Sequence, residues 1–231
     1  MNVRIPLDHD TAGLPLKLEG DLELPPTARG IIVFAHGSGS SRHSPRNRQV
    51  ALGLREEGWG MLLFDLLTTR EDVSPEARFD IPLLGRRLVV ATTWLTRRPE
   101  AEHLPLGYFG ASTGAAAALI AAASLGARIG AVVSRGGRPD LASSALPQVT
   151  APTLLIVGGD DKDVLDLNRR AASHLRCTYR VTVVPGATHL FEEPGALEEV
   201  VRLSVDWFDC HLASRGEGAM TQRKTQNPRG R

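Results

Sequence analysis

The stretch that decides the fold is residues 106–119, LGYFGASTGAAAAL. Its first four residues predict a buried strand, and the alanine-rich run that continues to residue 125 predicts a helix that packs closely on a sheet. Between them, the pattern Gly110-x-Ser112-x-Gly114 places a serine on a tight turn. Larger side chains two positions either side of that serine would collide with the strand or the helix. A serine raised on such a turn is typical of a catalytic nucleophile.

Outward from this stretch, strand-like and helix-like segments alternate along the chain. Short β-rich apolar runs predict strands at 31–35, 61–67, 106–109, 129–133, 153–157 and 179–184. Apolar spacing predicts helices at 48–57, 81–95, 115–125, 164–175 and 197–212. The alternation indicates an α/β fold, with a mostly parallel sheet of about seven or eight strands and helices on both faces. The partly alternating stretch 16–24, LKLEGDLEL, is expected to form an outer antiparallel strand pair.

A glycine-rich loop, HGSGSS, follows the first of the parallel strands. Such a loop can turn backbone N–H groups toward a carbonyl oxygen that becomes negative when the carbonyl carbon is attacked. We expect these donors to be the amides of Thr113 and Ser38, with Gly37 and Gly39 allowing the close approach. A dinucleotide-binding fingerprint would also start at Gly37, but it requires glycine or alanine where this chain has Arg42.

A serine hydroxyl needs a base that takes its proton, and an acid that orients the base. In enzymes with this type of turn the chain order is serine, acid, histidine. His189 follows the last predicted strand, whereas the other six histidines lie in loops, on predicted helices or at a strand end and are not expected to be the base. Three carboxylates follow the strand before it: Asp160, Asp161 and Asp163. Asp163 is also placed to cap the helix predicted at 164–175.

With these motifs, the chain resembles the α/β-hydrolase superfamily, and within it the dienelactone-hydrolase-like family, over about residues 16–212. The matching stretches are HGSGSSRHSPRN, FGASTGAAAAL, SRGGRPDLA, LLIVGGDDKDVL and GATHLFEEPGALEEV. The resemblance implies the α/β-hydrolase fold, and its pattern Gly158-Gly-x-Asp-x-x-Val implies Asp161 as the acid. Dienelactone hydrolases are known for a cysteine at the turn, whereas this chain has Ser112. The reaction implied is therefore hydrolysis of a simple ester, lactone or thioester.

The loops suggest how a substrate is bound. Only residues 134–152 join two predicted strands where many relatives insert a helical cap, so no large cap is expected. Loops at the carboxyl ends of the strands carry Arg42, His43, Arg46, Arg70, Arg135 and Arg138. Among these, Arg42, His43, Arg135 and Arg138 are candidates for binding a substrate carboxylate. The favoured alternative is that the arginines pair with Asp65, Glu71 and Asp140 and hold the loops.

Composition limits the other classes of function. The chain has 231 residues and a formal net charge of +1, so no overall field attracts nucleic acid or an anionic membrane. No apolar segment is long enough for a membrane span or resembles a leader, which favours a cytoplasmic protein. Cys177 and Cys210 are too few for a disulfide framework and are expected to be buried thiols. We expect one hydrolase domain over 1–212 and a disordered basic tail over 213–231.

The expected reaction is acyl transfer in two steps, in which Ser112 forms an acyl-enzyme and His189 acts as the base in both. It requires no metal or organic cofactor. The expected partner is a small-molecule ester, lactone or thioester, and the expected assembly is a monomer or a small homo-oligomer. Two alternatives use the same fold: a binding or regulatory protein with little turnover, and an acyltransferase with the same three residues.

Overall fold

A single eight-stranded sheet organises the chain. The computed structural model describes residues 1–9 and 15–213. The strands are β1 (Asn2–His9), β2 (Pro15–Glu23), β3 (Ile31–Ala35), β4 (Gly60–Phe64), β5 (Leu106–Ala111), β6 (Ile129–Arg135), β7 (Thr153–Gly158) and β8 (Tyr179–Val184). The helices are α1 (Pro45–Glu56), α2 (Pro75–Phe79), α3 (Ile81–Thr96), α4 (Thr113–Leu125), α5 (Lys162–Ala172) and α6 (Ala196–Phe208).

The strand order is β1-β2-β4-β3-β5-β6-β7-β8. Strands β3 to β8 pair in parallel, whereas β2 pairs antiparallel with both β1 and β4. The predicted mostly parallel sheet is therefore confirmed. The prediction for 16–24 is wrong in one respect, because this stretch forms the single strand β2 and not a strand pair. Its outer antiparallel partner is β1, Asn2–His9.

Two apolar cores lie on opposite faces of the sheet. Helices α3, α4 and α5 contribute to one core, and α1 and α6 contribute to the other. Consecutive strand residues alternate between them: Val33 packs in the first core and Phe34 in the second. All five residues of β3 are buried. Burial on both faces explains why the central strands are continuous apolar runs instead of alternating ones.

Helix α4 packs on the sheet through small side chains. Nine of its 13 residues are buried, and six of these are alanines. An alanine helix loses little side-chain entropy on folding and allows a short distance to its neighbours. The nucleophile candidate, Ser112, directly precedes this helix.

The order of the strands fixes where a site can form. From β3 the chain passes to β4 on one side of it, and then crosses to β5 on its other side. The loops after β3 and β5 therefore diverge, and ligands of parallel sheets bind in the crevice at such a switch point. The loop that contains Ser38 follows β3, and Ser112 follows β5.

The connection from β6 to β7 is fully described and contains only two short 3₁₀ turns, Pro139–Ala142 and Leu146–Gln148. The absence of a helical cap at this position is therefore confirmed. Helix α6 ends earlier than predicted and is followed by one turn of π-helix, Asp209–Ala213. Ala213 thus still belongs to that turn, and the rest of the predicted tail lies outside the described residues.

Two further expectations can be compared with the structure. Neither cysteine is fully buried, since Cys177 is half-buried and Cys210 is exposed, so that prediction is wrong. Across residues 1–9 and 15–213, no helix combines the length and the apolar character that crossing a membrane demands.

Candidate active site

Ser112 sits in a backbone conformation that side chains seldom adopt. Its φ of 51° and ψ of −122° lie between the end of β5 and the start of α4. Two long-range bonds hold it there: its N–H donates to the Arg135 carbonyl at 3.2 Å, and its carbonyl accepts from the Arg138 N–H at 3.1 Å. A side chain on Gly110 would approach the backbone of Ala115 to 2.5 Å. The strained serine is therefore fixed by its surroundings, as tight functional turns usually are.

The His189 side chain lies between Ser112 and Asp161. Its Nδ1 is 2.6 Å from Asp161 Oδ2, and its Nε2 is 3.4 Å from Ser112 Oγ. Since the carboxylate is an acceptor only, Nδ1 carries a proton and Nε2 is the nitrogen that faces the serine. The histidine side chain is 38% exposed and the aspartate only 15%. The three predicted residues are thus brought together in one line of contacts.

Asp161 occupies the N-cap position of α5, but its side chain makes no cap hydrogen bond. The prediction that Asp163 caps this helix is wrong, because Asp163 lies within the first turn. Asp160, the other alternative, is exposed. The acid loop is joined to the loop before His189 by the Gly159 N–H to Val184 carbonyl bond and the Asp160 N–H to Ala187 carbonyl bond, at 2.8 and 3.0 Å. These backbone bonds fix the distance between acid and base.

The glycine-rich loop after β3 also lies beside the serine. A Cβ on Gly37 would be 3.1 Å from Ser112 Cβ, and Gly39 has a φ of 69°. The Ser38 N–H, one of the two predicted oxyanion donors, already donates to Thr113 Oγ1 at 2.7 Å. The other predicted donor, the Thr113 N–H, belongs to the first turn of α4, whose N–H groups have no acceptor within the helix.

His36, at the base of this loop, has a structural environment. Its Nδ1 donates to the Gly37 carbonyl at 2.9 Å, and its Nε2 accepts from the Leu66 N–H at 3.0 Å. Burial lowers its pKa below the ordinary value of 6.5. The neutral ring thus joins the loop after β3 to the chain after β4, in agreement with the expectation that it is not the base.

Most of the arginine candidates are paired with carboxylates. Arg42 pairs with Asp65, and Arg138 forms a two-bond contact with Asp140 at 2.9 and 2.8 Å. Both pairs are those of the favoured alternative. Glu71, however, pairs with Arg87 at 2.6 Å and not with one of the loop arginines. His43 and Arg70 are exposed, and the ring of His43 lies beside Arg48.

Arg135 differs from the other candidates because it is buried. Only 7% of it is exposed. Its guanidinium donates to the Leu190 carbonyl at 3.4 Å and to Asn47 Oδ1 at 3.3 Å, and it lies over the ring of Phe191. Arg135 therefore contacts the segment directly after His189. Sequence reasoning missed Asn47 and Phe191, because no local pattern marks contacts between residues so distant in the chain.

No group of three or more His, Cys, Asp or Glu side chains in the described part of the chain is arranged to hold a metal ion. The chemistry available at the site is that of a serine, an imidazole, a carboxylate and hydrogen-bond donors from two loops.

Known structures identify the family. The chain is 52% identical to a dienelactone hydrolase from Anabaena variabilis, covering 92% of this chain and 98% of that one, with a TM-score of 0.86. The chain belongs to the dienelactone-hydrolase-like family of the α/β-hydrolases. This dienelactone-hydrolase-like chain is thus a member of a hydrolase family, although no family model matches its sequence.

More distant structures share the fold alone. Est1E from Butyrivibrio proteoclasticus is 15% identical with a TM-score of 0.72, covering 88% of this chain and 97% of that one. An esterase from Pyrococcus furiosus is 18% identical with a TM-score of 0.68, covering 92% and 91%.

Curated relatives from two strains of Mycobacterium tuberculosis are 57% identical over 202 residues. They bear a provisional name, phosphoribosyl transferase. The match covers 87% of this dienelactone-hydrolase-like chain but only 46% of each relative. The chain therefore spans about half the length of these relatives, and their name describes the longer proteins.

Proposed function

We propose that this chain hydrolyses a carboxylic ester, lactone or thioester of a small molecule through an acyl-enzyme on Ser112. The observation that carries the proposal is the continuous line from Asp161 Oδ2 through the His189 ring to Ser112 Oγ, with distances of 2.6 and 3.4 Å. The second distance is long for a hydrogen bond, but contacts of this kind commonly shorten when a substrate binds.

In the first step, Ser112 Oγ attacks the carbonyl carbon while His189 Nε2 takes the hydroxyl proton. The tetrahedral intermediate then collapses, the imidazolium returns this proton to the leaving group, and the acyl group stays on Ser112. In the second step, water attacks the acyl carbon while His189 Nε2 takes a proton from it, and the imidazolium then returns this proton to Ser112 Oγ as the carboxylic acid product leaves. Asp161 keeps the Nδ1 proton in place and stabilises the imidazolium.

The surroundings of the three residues support this assignment. The strained backbone of Ser112 is held by one bond to the last residue of β6 and one to the loop that follows it, and the acid and base loops are tied by two more. Such fixed geometry is what nucleophilic catalysis requires, since little reorganisation remains to be done during the reaction. The substrate class is taken from the family, to which the Anabaena dienelactone hydrolase belongs.

The test compares wild type, Ser112→Ala and Ser144→Ala on a panel of short-chain nitrophenyl esters, lactones and thioesters. Ser144 is an exposed serine in the β6–β7 connection and serves as the matched control. We expect Ser112→Ala to lower kcat by about 10⁴-fold or more, because the three residues act as a unit. Mass spectrometry of a slowly hydrolysed substrate should show the acyl group on the peptide that contains Ser112.

The same experiment separates the alternatives. Labelling of Ser112 by a fluorophosphonate without turnover of any substrate would favour a binding or regulatory protein. Faster loss of the acyl group to added alcohols or amines than to water would favour an acyltransferase. Equal rates for wild type and Ser112→Ala on every substrate would refute the proposal.

A further inference from the structure

We propose that the side-chain hydroxyl of Thr113 donates a hydrogen bond to the oxyanion, and that the Ser38 amide acts through this hydroxyl instead of contacting the substrate. The inference rests on the acyl-transfer function proposed above. Its starting point is the 2.7 Å bond in which the Ser38 N–H donates to Thr113 Oγ1. This N–H would otherwise be the natural donor from the loop after β3.

The bond leaves the Thr113 hydroxyl proton available. A backbone N–H has one proton, whereas a hydroxyl both accepts and donates. Thr113 Oγ1 accepts from Ser38, and in residues 1–9 and 15–213 no protein acceptor is found for its own proton. A hydroxyl that accepts a bond is polarised and becomes a better donor. Within the described residues, the Thr113 hydroxyl, next to the nucleophile, is therefore free to donate its proton in a hydrogen bond, and it is a stronger donor than an isolated hydroxyl.

The two loops cannot easily separate to expose the Ser38 amide. A Cβ on Gly114 would lie 2.2 Å from the Ala35 carbonyl oxygen, and a Cβ on Gly37 would lie 3.1 Å from Ser112 Cβ. The backbones are thus in contact on both sides of the bond between Ser38 and Thr113. Thr113 is only 4% exposed. Turning its side chain away would leave a buried oxygen without its donor, which is unfavourable.

Thr113 then supplies both donors to the oxyanion. Its N–H lies at the first position of α4, where no helical acceptor exists. Its side-chain oxygen is held in place by the Ser38 bond and by the stiffness of a β-branched side chain, and the hydroxyl proton can rotate toward an acceptor. When the bond from Ser112 Oγ to the carbonyl carbon forms, the electron pair of the carbonyl moves to its oxygen. Both donors stabilise that charge, and no proton is transferred from Thr113.

The test measures kcat and KM for a short-chain nitrophenyl ester with wild type, Thr113→Val and Thr113→Ser. Valine has the shape of threonine without its hydroxyl, and it keeps the backbone amide. We expect Thr113→Val to lower kcat by about 10²- to 10³-fold, as loss of one oxyanion donor does, with KM changed by no more than about threefold. Thr113→Ser should restore most of the rate.

A different outcome follows if the Ser38 amide contacts the oxyanion directly. Thr113→Val would then free that amide, and kcat would equal or exceed the wild-type value, which overturns the proposal. The melting temperature of each variant identifies a folding defect. If Thr113→Val does not fold, Thr113→Ala replaces it and is expected to lower kcat by the same factor. Ser112→Ala is measured alongside: full activity in it refutes the acyl-enzyme itself, whereas its inactivity beside a fully active Thr113→Val refutes only the role of the hydroxyl.

Discussion

Replacing Arg135 with methionine is expected to reduce turnover much more than stability. The guanidinium is buried, and within the described residues its hydrogen bonds go to neutral oxygens and not to a carboxylate. It contacts instead the Leu190 carbonyl, the Asn47 amide oxygen and the ring of Phe191. Phe191 is fully buried with a φ of 56°, so the segment after His189 adopts a strained backbone that its neighbours must hold.

The cost of burying the Arg135 charge and the gain from its hydrogen bonds nearly cancel in the free energy of unfolding. Burial, with a smaller effect from the charge of Arg46, lowers the pKa of Arg135 from 12.5 to about 10. At 1.36 kcal/mol for each pKa unit, holding the charge in the fold costs about 3 kcal/mol. Two hydrogen bonds from a charged donor return about 1.5 kcal/mol each when they are as long as 3.3 and 3.4 Å. Methionine at this position removes both the cost of the buried charge and the gain from the two hydrogen bonds. It also leaves the buried Asn47 oxygen without a donor, at a cost of about 1–2 kcal/mol.

We therefore expect Arg135→Met to lower the free energy of unfolding by no more than about 2 kcal/mol, measured by urea denaturation. Release of the Leu190 carbonyl should displace His189, and a shift of about 1 Å at a catalytic group can reduce kcat by about 10²-fold. KM should change little. Arg169→Met, on the exposed surface of α5, is the matched control and should match wild type in both measurements.

Two results would contradict this reasoning. If Arg135→Met lowered the free energy of unfolding by more than about 4 kcal/mol, the buried guanidinium would be strongly stabilising, and the cost of its burial would not cancel the gain from its contacts. An unchanged kcat with a raised KM, confined to esters that carry a carboxylate, would assign Arg135 to substrate binding and not to the position of His189.

Two more expectations concern the loop after β3 and the packing of α4 against the end of that strand. Because the pKa of His36 is lower in the fold than its ordinary 6.5, the unfolded chain binds more protons below that pH, and the free energy of unfolding should fall as pH drops below about 6.5. His36→Gln, less stable at pH 8, should show a shallower decrease in urea titrations at several pH values, and parallel curves would exclude this role. Gly114→Ala should lose about 3 kcal/mol or more, because its Cβ would meet the Ala35 carbonyl oxygen at 2.2 Å. Gly39→Ala, which has open space but a positive φ, should lose only about 1 kcal/mol, and equal losses would argue against the steric explanation.

Much of the fold could be predicted from the sequence because the central strands are buried on both faces and therefore read as apolar runs. The predicted bounds of β3 and β8 coincide with the observed ones. Strand β1 was missed although Val3, Ile5 and Leu7 alternate, since Pro6 interrupts the run. Proline is tolerated there because β1 is an edge strand with only one partner.

The candidate site was less predictable wherever a distant contact decides what a side chain does. Asp161 stands at a helix N-cap, where local rules would use its carboxylate for the helix, yet that carboxylate binds His189 instead. Arg135 resembled a loop arginine with access to substrate, but its partners, Asn47 and Leu190, are 88 and 55 residues away in the chain. Such pairings depend on how the loops assemble, which local sequence does not encode.

The close packing of α4 also has an evolutionary consequence. Almost any replacement of its six buried alanines adds volume to a buried position, so selection is expected to keep those positions small although none of them carries the chemistry. Positions along this helix that do not tolerate substitution are therefore those whose close packing keeps Ser112 in its position. A map of the positions sensitive to substitution would therefore cover a patch far larger than the reacting centre. A homologue with larger residues in this helix would have to hold its nucleophile in a different position relative to the sheet.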